Sequence, residues 1–174
     1  MISRLTLLSS VTLALLLALP AQAQIFTRCP DQLPAPVAAK RNAIIAAAKT
    51  KDLKALEKLI GPGEFVFFYG TDKDAIAYWK DSIRQGNDIP RIMAGVLAMP
   101  CVVTREENRV QYVWPSAAEF AWKDLTPAEQ KALEVLYDGK VDDWYIEGRD
   151  KGYYVGWRLS IEANGAWSSF VAGD

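Results

Sequence analysis

The strongest turn signal in the chain is the Asn164-Gly165 dipeptide near its end, between two β-rich segments. Such a dipeptide between alternating apolar and polar residues predicts an antiparallel β-hairpin. Trp157, Leu159 and Ile161 alternate with polar residues on the first segment, which is the period of a half-buried strand. Because the last segment must dock on structure formed by the preceding chain, we expect an antiparallel sheet that ends in this hairpin.

Two loop lengths are compatible with the hairpin, and they place different rings at the surface. A two-residue turn pairs Leu159 with Phe170 and leaves Trp167 on the outer face. A three-residue loop closed by a glycine bulge pairs Ile161 with Trp167 and turns Phe170 outward. We favour the three-residue loop because it forms a cross-strand pair between Trp167 and Ile161. A shift of one residue exchanges the two faces of the whole return strand.

The first 23 residues have the pattern of a secretory signal peptide. Arg4 precedes an apolar run over residues 5–19, and Pro20 and Ala21-Gln22-Ala23 follow as a small-residue cleavage site. The run is shorter than the roughly 20 apolar residues that span a bilayer. We therefore predict cleavage after Ala23, export to the periplasm and no membrane anchor after cleavage. The predicted organisation is a signal peptide over 1–23 and a single globular domain over 24–174.

The charge balance excludes one class of partner. Without Arg4, the chain has 19 basic and 21 acidic residues, and its Lys and Arg residues form no cluster. A nucleic-acid-binding surface needs a basic stripe that neutralises phosphates, so we expect no nucleic-acid partner. The same balance gives no electrostatic reason for binding to an anionic membrane surface.

The chain contains no histidine, and this absence excludes several chemistries. Ser-His-Asp and Cys-His nucleophiles, histidine metal sites and imidazole acid–base catalysis all need that residue. The Walker loop and the dinucleotide glycine motif are absent as well. We therefore predict no metal and no cofactor.

The two cysteines predict one disulfide, Cys29–Cys101, because an exported chain folds in an oxidising compartment. The bridge would tie an extended, proline-rich N-terminal arm over residues 24–36 to the body near Pro100. Two buried free thiols are the alternative.

The order of the predicted elements is typical of the α+β class. Helical periodicity and capping signals predict helices over residues 37–49, 53–60, 71–84, 90–99 and 127–137. Apolar and β-rich runs predict strands over 65–69, 101–104, 109–114 and 141–146, before the terminal hairpin. We expect N-terminal helices packed on a mainly antiparallel sheet that ends in the C-terminal β-hairpin.

Capping residues define the starts of three helices. Thr126 and Glu129 have the spacing of a full capping box. Asp52 and Thr71 are expected to cap the second and third helices. The third helix is predicted to turn an apolar stripe inward: Ile76, Trp79 and Ile83.

Acidic residues cluster near aromatic ones before the terminal hairpin: Asp138, Asp142, Asp143, Glu147 and Asp150, interleaved with Trp144 and Tyr145. Glycoside hydrolysis needs two carboxylates beside the sugar, so Asp142, Asp143 and Glu147 are candidate catalytic residues. The same oxygens could hold Ca²⁺, although the segment does not match the twelve-residue calcium loop. A solvated acidic loop is the commoner interpretation of such a segment.

Three of the six tryptophans lie on predicted inward-facing stripes: Trp79, Trp114 and Trp157. The others, Trp122, Trp144 and Trp167, are candidate ligand-binding residues, with Phe170 replacing Trp167 in the alternative hairpin register. Exposed aromatic rings could stack on sugars or dock a partner. Core packing without any function is the simpler explanation for such rings.

Several segments together resemble a group of uncharacterised exported proteins of Gram-negative bacteria: the signal peptide, residues 46–56, 65–69 and 112–115, and the end of the chain over 165–174. The resemblance implies a periplasmic, single-domain protein and implies no activity or site residues. The element order is also similar to the nuclear-transport-factor-like fold, in which helices precede a curved antiparallel sheet around a pocket.

Two functions from different classes follow from these features. The first is a non-enzymatic periplasmic protein that binds an envelope glycan, a peptide or a protein through an aromatic surface or pocket. The alternative is a histidine-free, carboxylate-dependent enzyme that acts on a cell-envelope glycan. Carboxylates that line a concave pocket would favour chemistry, and a flat exposed tryptophan patch would favour a partner.

Overall fold

The computed structural model describes residues 25–61, 64–68, 74–106 and 108–173. The predicted signal peptide, its cleavage site after Ala23 and the predicted helix cap Thr71 lie outside the described residues. No helix in the described ranges is long and apolar enough to cross a membrane.

The described residues form the α+β fold that the sequence predicts. The helices are α1 (Ala35–Lys49), α2 (Leu53–Ile60), α3 (Ala75–Arg84), α4 (Ile89–Ala98) and α5 (Pro127–Leu136). The main sheet contains β1 (Ile25–Arg28), β2 (Val102–Glu106), β3 (Arg109–Trp114), β6 (Arg158–Glu162) and β7 (Trp167–Val171). These five strands lie in the spatial order β1-β2-β3-β6-β7, and each pair is antiparallel. A separate small hairpin joins β4 (Tyr145–Ile146) to β5 (Tyr153–Tyr154).

In the described ranges, α2 to α5 begin where a side chain accepts a free N–H group of the first turn, whereas α1 has no such cap. The carboxylate of Asp52 accepts the N–H of Ala55 at the start of α2, as predicted. The predicted capping box of α5 is also present: Thr126 accepts from the N–H of Glu129, whose carboxylate accepts from the N–H of Thr126. In α3 the cap is Asp74, three residues after the predicted position.

The terminal hairpin combines the two registers that the sequence left open. Its loop is the favoured three-residue one, because the N–H of Glu162 donates to the carbonyl of Ala166 over 2.8 Å and Ile161 pairs with Trp167. The register then shifts, so that Leu159 pairs with Phe170 as in the two-residue turn.

One extra residue, Ser168, causes this shift, because Ser160 pairs with Ser169 directly after the Ile161–Trp167 pair. Such a β-bulge rotates the following side chains to the other face. Trp167 and Phe170 are therefore both buried, with 2% and 0% of their surface exposed. The expectation that one of these rings points outward is wrong.

The bulge is stabilised by a hydrogen bond within the hairpin and by two from other segments. The side-chain amide of Gln111 donates to the hydroxyl of Ser168 over 3.1 Å, and that hydroxyl donates to the carbonyl of Ser160. The carbonyl of Ser168 accepts the N–H of Val66 over 3.0 Å. The carbonyl and the hydroxyl of the bulged residue are thus paired, as buried polar groups generally are.

The core lies between the helices and one face of the main sheet. The ring of Trp79 on α3 stacks on Trp167 at a centroid distance of 5.8 Å and meets Phe170 edge-on at 5.8 Å. Phe170 stacks in turn on Trp157 at 4.6 Å. The predicted inward positions of Trp79 and Ile76 are confirmed, whereas Ile83 is 38% exposed at the last turn of α3.

Three predicted elements differ from the observed ones. The segment 65–69 is not a strand over the residues described, since only Val66 forms a bridge, with Ser169. Phe65 and Phe67 are held by ring contacts with Trp79 and Tyr78 instead, and these explain the aromatic run without a strand.

The other two differences concern the segment 141–146 and the N-terminal arm. Residues Val141–Trp144 form a 3₁₀ turn, and only Tyr145–Ile146 continue as a strand. The arm begins with a true edge strand, β1, because Ile25–Arg28 pair with β2 in register. The predicted disulfide Cys29–Cys101 joins this arm to the residue just before β2, with the Cα atoms 5.3 Å apart.

A buried carboxylate holds the same arm to α5. Glu129 is 3% exposed, and its Oε1 accepts from the guanidinium of Arg28 and from the hydroxyl of Ser116, both at 2.5 Å. Burial alone would raise the pKa of Glu129, but the hydrogen bonds from Arg28, Ser116 and Thr126 outweigh it and lower the pKa to about 2. The carboxylate is therefore ionised in the folded protein at neutral pH.

Replacing Glu129 by glutamine should destabilise the fold in a pH-dependent way. The folded-state pKa of about 2 lies below the reference value of 4.5, so this stabilisation is complete above pH 4.5 and disappears as the pH falls toward 2. We expect Glu129→Gln to lower the free energy of unfolding at neutral pH by roughly 3 kcal/mol, measured by urea denaturation. The deficit should shrink on acidification.

The matched control is Glu134→Gln, because Glu134 lies on the same helix and makes surface ion pairs with Lys131 of that helix and with Arg149 of a loop. This control should change stability by less than about 0.5 kcal/mol. Equal effects of the two variants at neutral pH would contradict the role of the buried carboxylate.

Candidate functional site

The residues between α5 and β5 form two neighbouring clefts. The first, called the groove below, lies between α3, α4 and the C-terminal end of α5, and its volume is about 540 Å³. Its floor contains the rings of Tyr137, Trp144 and Trp157, and its rim contains charged side chains: Arg91, Asp138, Lys140 and Asp143. An apolar floor with a few polar groups at the rim is typical of a ligand site.

The chain reverses direction after α5, and this reversal places Trp144 next to Tyr137 in the floor of the groove. Asp138 and Gly139 follow the helix at φ +52° and +80°, and this left-handed pair turns the chain back toward the 3₁₀ turn. Gly95 allows α4 to approach closely, since a Cβ there would lie 2.6 Å from a methyl carbon of Leu136. The groove is thus bounded by two helices in direct contact.

Trp144 is the half-buried ring of the groove. It stacks on Tyr137 at a centroid distance of 5.0 Å and an interplanar angle of 27°. Because Tyr137 is buried and supports one side of the indole, the Trp144 ring is held in a fixed orientation with part of its surface open to the groove. A supported, partly exposed ring is suited to stacking against a flat ligand.

The support beneath Trp144 is a closed hydrogen-bond cycle. The N–H of Trp157 donates to the hydroxyl of Tyr137 over 3.0 Å, and the hydroxyl of Tyr154 donates to the carbonyl of Trp157 over 3.1 Å. The two hydroxyls lie 2.5 Å apart, and since Tyr154 has already used its proton, Tyr137 is the donor between them.

Burial determines the ionisation of this pair. It raises the pKa of Tyr137 to about 12 and the pKa of Tyr154 well above its usual value, so both hydroxyls stay protonated at physiological pH. Gly156 is required beside them, because a Cβ there would lie 2.4 Å from the ring of Tyr154. The tyrosines thus form a rigid support and not an acid–base pair.

The second cleft, called the Trp122 cleft below, has a volume of about 560 Å³. Arg149 lies across it, with its guanidinium 4.8 Å from the centre of the Trp122 ring and its Nε 2.5 Å from a carboxylate oxygen of Asp142. The opposite contact of Trp122 is with Tyr145, edge-on at 5.7 Å. Other charged side chains line the cleft: Glu147, Asp150 and Lys151.

The loop that borders the Trp122 cleft has a tightly defined backbone. Glu147 and Gly148 are both left-handed, at φ +61° and +78°. A Cβ on Gly152 would lie 1.4 Å from the carbonyl oxygen of Ile146, so only glycine fits there. The N–H of Gly152 donates to the carbonyl of Gly148 over 2.8 Å and closes the loop.

The structure separates the predicted site residues into three places. Trp144 and Asp143 line the groove, whereas Trp122, Asp142 and Glu147 line the Trp122 cleft. Trp167, the third candidate ligand-binding ring, is in the core and has no surface to offer.

The three candidate catalytic carboxylates are all exposed: Asp142, Asp143 and Glu147. In the described ranges, no three carboxylate, cysteine or histidine side chains converge in a way that could hold a metal ion. The three exposed carboxylates can therefore accept hydrogen bonds from a ligand, and none of them is a buried acid.

Three residues of the groove do not follow from the sequence. The sequence indicates Tyr137 only as the end of a helix and Trp157 only as a core residue, although Trp157 also lines the groove with 8% of its surface exposed. Nothing in the sequence singles out Arg91 on α4, because its approach to Asp138, with 3.5 Å between the charged groups, depends on helix packing.

Comparison with protein-family models, with curated proteins and with solved structures finds no match to this chain.

Removing the hydroxyl of Tyr137 should weaken the support of the groove. Tyr137→Phe leaves the buried N–H of Trp157 without its acceptor, so we expect the free energy of unfolding to fall by roughly 1–3 kcal/mol. Tyr78→Phe, at the half-buried edge of the same groove, is the control and should cost less than about 0.5 kcal/mol. Urea denaturation compares the two; similar losses would show that the hydrogen-bond cycle does not stabilise the fold.

Proposed function

We propose that the protein is a non-enzymatic binding protein of the periplasm, and that it binds a saccharide of the cell envelope in the groove. Trp144 stacks on one face of a pyranose ring, and the polar rim binds the hydroxyl groups. The observation that supports this most is the Trp144 ring itself, partly open to the groove and backed by a buried tyrosine.

A sugar ring matches both the floor and the rim of the groove. One face of a pyranose presents C–H groups that pack on an aromatic ring, while its hydroxyls need donors and acceptors. The rim supplies both kinds, with two cationic and two anionic side chains: Arg91 and Lys140, Asp138 and Asp143. Because these charges balance, the groove suits a ligand without a large net charge, and its binding should depend only weakly on salt.

The enzymatic alternative has less support. A carboxyl that acts as a general acid in glycoside hydrolysis needs an environment that keeps it protonated, most often burial. Asp142 and Asp143 are exposed and line different clefts, and Asp142 is engaged by Arg149. Asp142 and Glu147 line the same cleft, but both are exposed, so neither has the burial that a general acid needs.

Two features support export. The predicted signal peptide provides the route, and the Cys29–Cys101 disulfide fits an oxidising compartment. We propose that residues 1–23 are removed and that the chain from Gln24 works in the periplasm.

If a saccharide binds in the groove, removing the Trp144 ring should lower the affinity for that saccharide. Isothermal titration with a β-linked N-acetylglucosamine tetrasaccharide, a maltotetraose and an unrelated tetrapeptide should show binding of a saccharide by the wild type. Trp144→Ala should weaken that binding by about tenfold or more, the equivalent of roughly 1.4 kcal/mol. Trp144→Phe, which keeps a ring, should lose less.

The control is Val135→Ala, because Val135 is an exposed apolar residue on α5, at 63% exposure, that does not line the groove. This variant should bind like the wild type. The proposal fails if no saccharide binds, if the tetrapeptide alone binds, or if Trp144→Ala binds as well as Val135→Ala. Cleavage of the saccharide that Asp142→Asn or Glu147→Gln abolishes would instead establish the enzyme.

A further inference from the structure

We propose that the saccharide site is longer than the groove and continues across the 3₁₀ turn Val141–Trp144 into the Trp122 cleft, which acts as a second subsite for a linear oligosaccharide. This inference rests on the proposed function, because it names the length and path of the ligand at the same site.

The 3₁₀ turn is shared by both clefts. Its residues advance by about 2 Å each and point about 120° apart, so neighbours face different directions. Asp142 accordingly lines the Trp122 cleft, while Asp143 and Trp144 line the groove. Consecutive residues of one short turn therefore line both clefts, which places the two candidate subsites next to each other.

A ladder of rings fixes the two tryptophans relative to each other. Successive centroids lie 5.7 Å apart from Trp122 to Tyr145, 5.5 Å from Tyr145 to Tyr154, 6.4 Å from Tyr154 to Tyr137 and 5.0 Å from Tyr137 to Trp144. The three tyrosines are buried, and only the terminal tryptophans are half-exposed. The spacing of the two surface rings is thus set before a ligand arrives, which reduces the ordering cost of binding.

The Trp122 cleft repeats the design of the groove. A half-buried tryptophan packs against a buried tyrosine, Tyr145, and charged side chains of both signs surround it. The hydroxyl of Tyr145 is buried and has no hydrogen-bond partner among the described residues.

Arg149 is already held in place for a neutral ligand. Its guanidinium rests on Trp122, its Nε binds Asp142 at 2.5 Å, and its Nη1 lies 3.7 Å from Glu134. The carboxylates of Asp142 and Glu134 neutralise the positive charge of Arg149. Its guanidinium can therefore donate hydrogen bonds to a ligand that carries no negative charge. The cleft as a whole has two cationic and three anionic side chains, so it also suits a ligand of little net charge.

The experiment compares saccharide length in the full secreted chain. Affinities for the disaccharide and the tetrasaccharide of β-linked N-acetylglucosamine are measured for the wild type, Trp122→Ala, Trp144→Ala and Val135→Ala. In the wild type the tetrasaccharide should bind about tenfold more tightly than the disaccharide. Trp122→Ala should remove this advantage while disaccharide affinity is kept, and Trp144→Ala should weaken both ligands.

A second variant tests the same cleft in case Trp122→Ala does not fold. Lys151→Ala changes an exposed side chain of the same cleft and should reduce tetrasaccharide affinity alone, with the thermal unfolding midpoint unchanged. Equal affinities for the two lengths, or tetrasaccharide binding that neither cleft variant alters, would overturn the two-subsite proposal and leave the groove intact. Absence of any saccharide binding would instead refute the proposed function itself.

Discussion

One extra residue in the last strand, Ser168, determines how the interior of this protein is filled. Without the bulge, a regular hairpin would bury either Trp167 or Phe170 and expose the other. With it, both rings enter the core and pack against Trp79. Val66 and Gln111, from segments outside the hairpin, supply hydrogen bonds that stabilise the bulge.

The core packing extends without a break to the candidate site. Phe170 stacks on Trp157, whose backbone N–H and carbonyl bind Tyr137 and Tyr154. Tyr137 then supports the Trp144 ring. The orientation of the Trp144 ring is therefore coupled, through these contacts, to the register of the terminal hairpin. Rings that a packed interior holds in this way bind with little loss of conformational entropy.

The sequence was informative where the physical cause is local. Asp52 and Thr126 cap their helices because a side chain reaches an N–H three residues ahead, and the cysteine pair allows one intramolecular bridge. The bulge at Ser168 was not predictable, because its hydrogen-bond partners come from segments distant in sequence. Only part of the groove could be predicted, because the sequence indicates Trp144 and Asp143 as candidate site residues. Their proximity to Tyr137 and Arg91 depends on the chain reversal at Asp138 and on helix packing, which the sequence does not show.

In the proposed complex a saccharide stacks on Trp144. Intermolecular nuclear Overhauser effects between the indole protons of Trp144 and the ring C–H protons of a bound N-acetylglucosamine tetrasaccharide test this stacking most directly. We expect strong effects from one face of the sugar to Trp144, with none to the buried ring of Trp167. A bound saccharide whose contacts are all made elsewhere, with the Trp144 resonances unchanged, would contradict it.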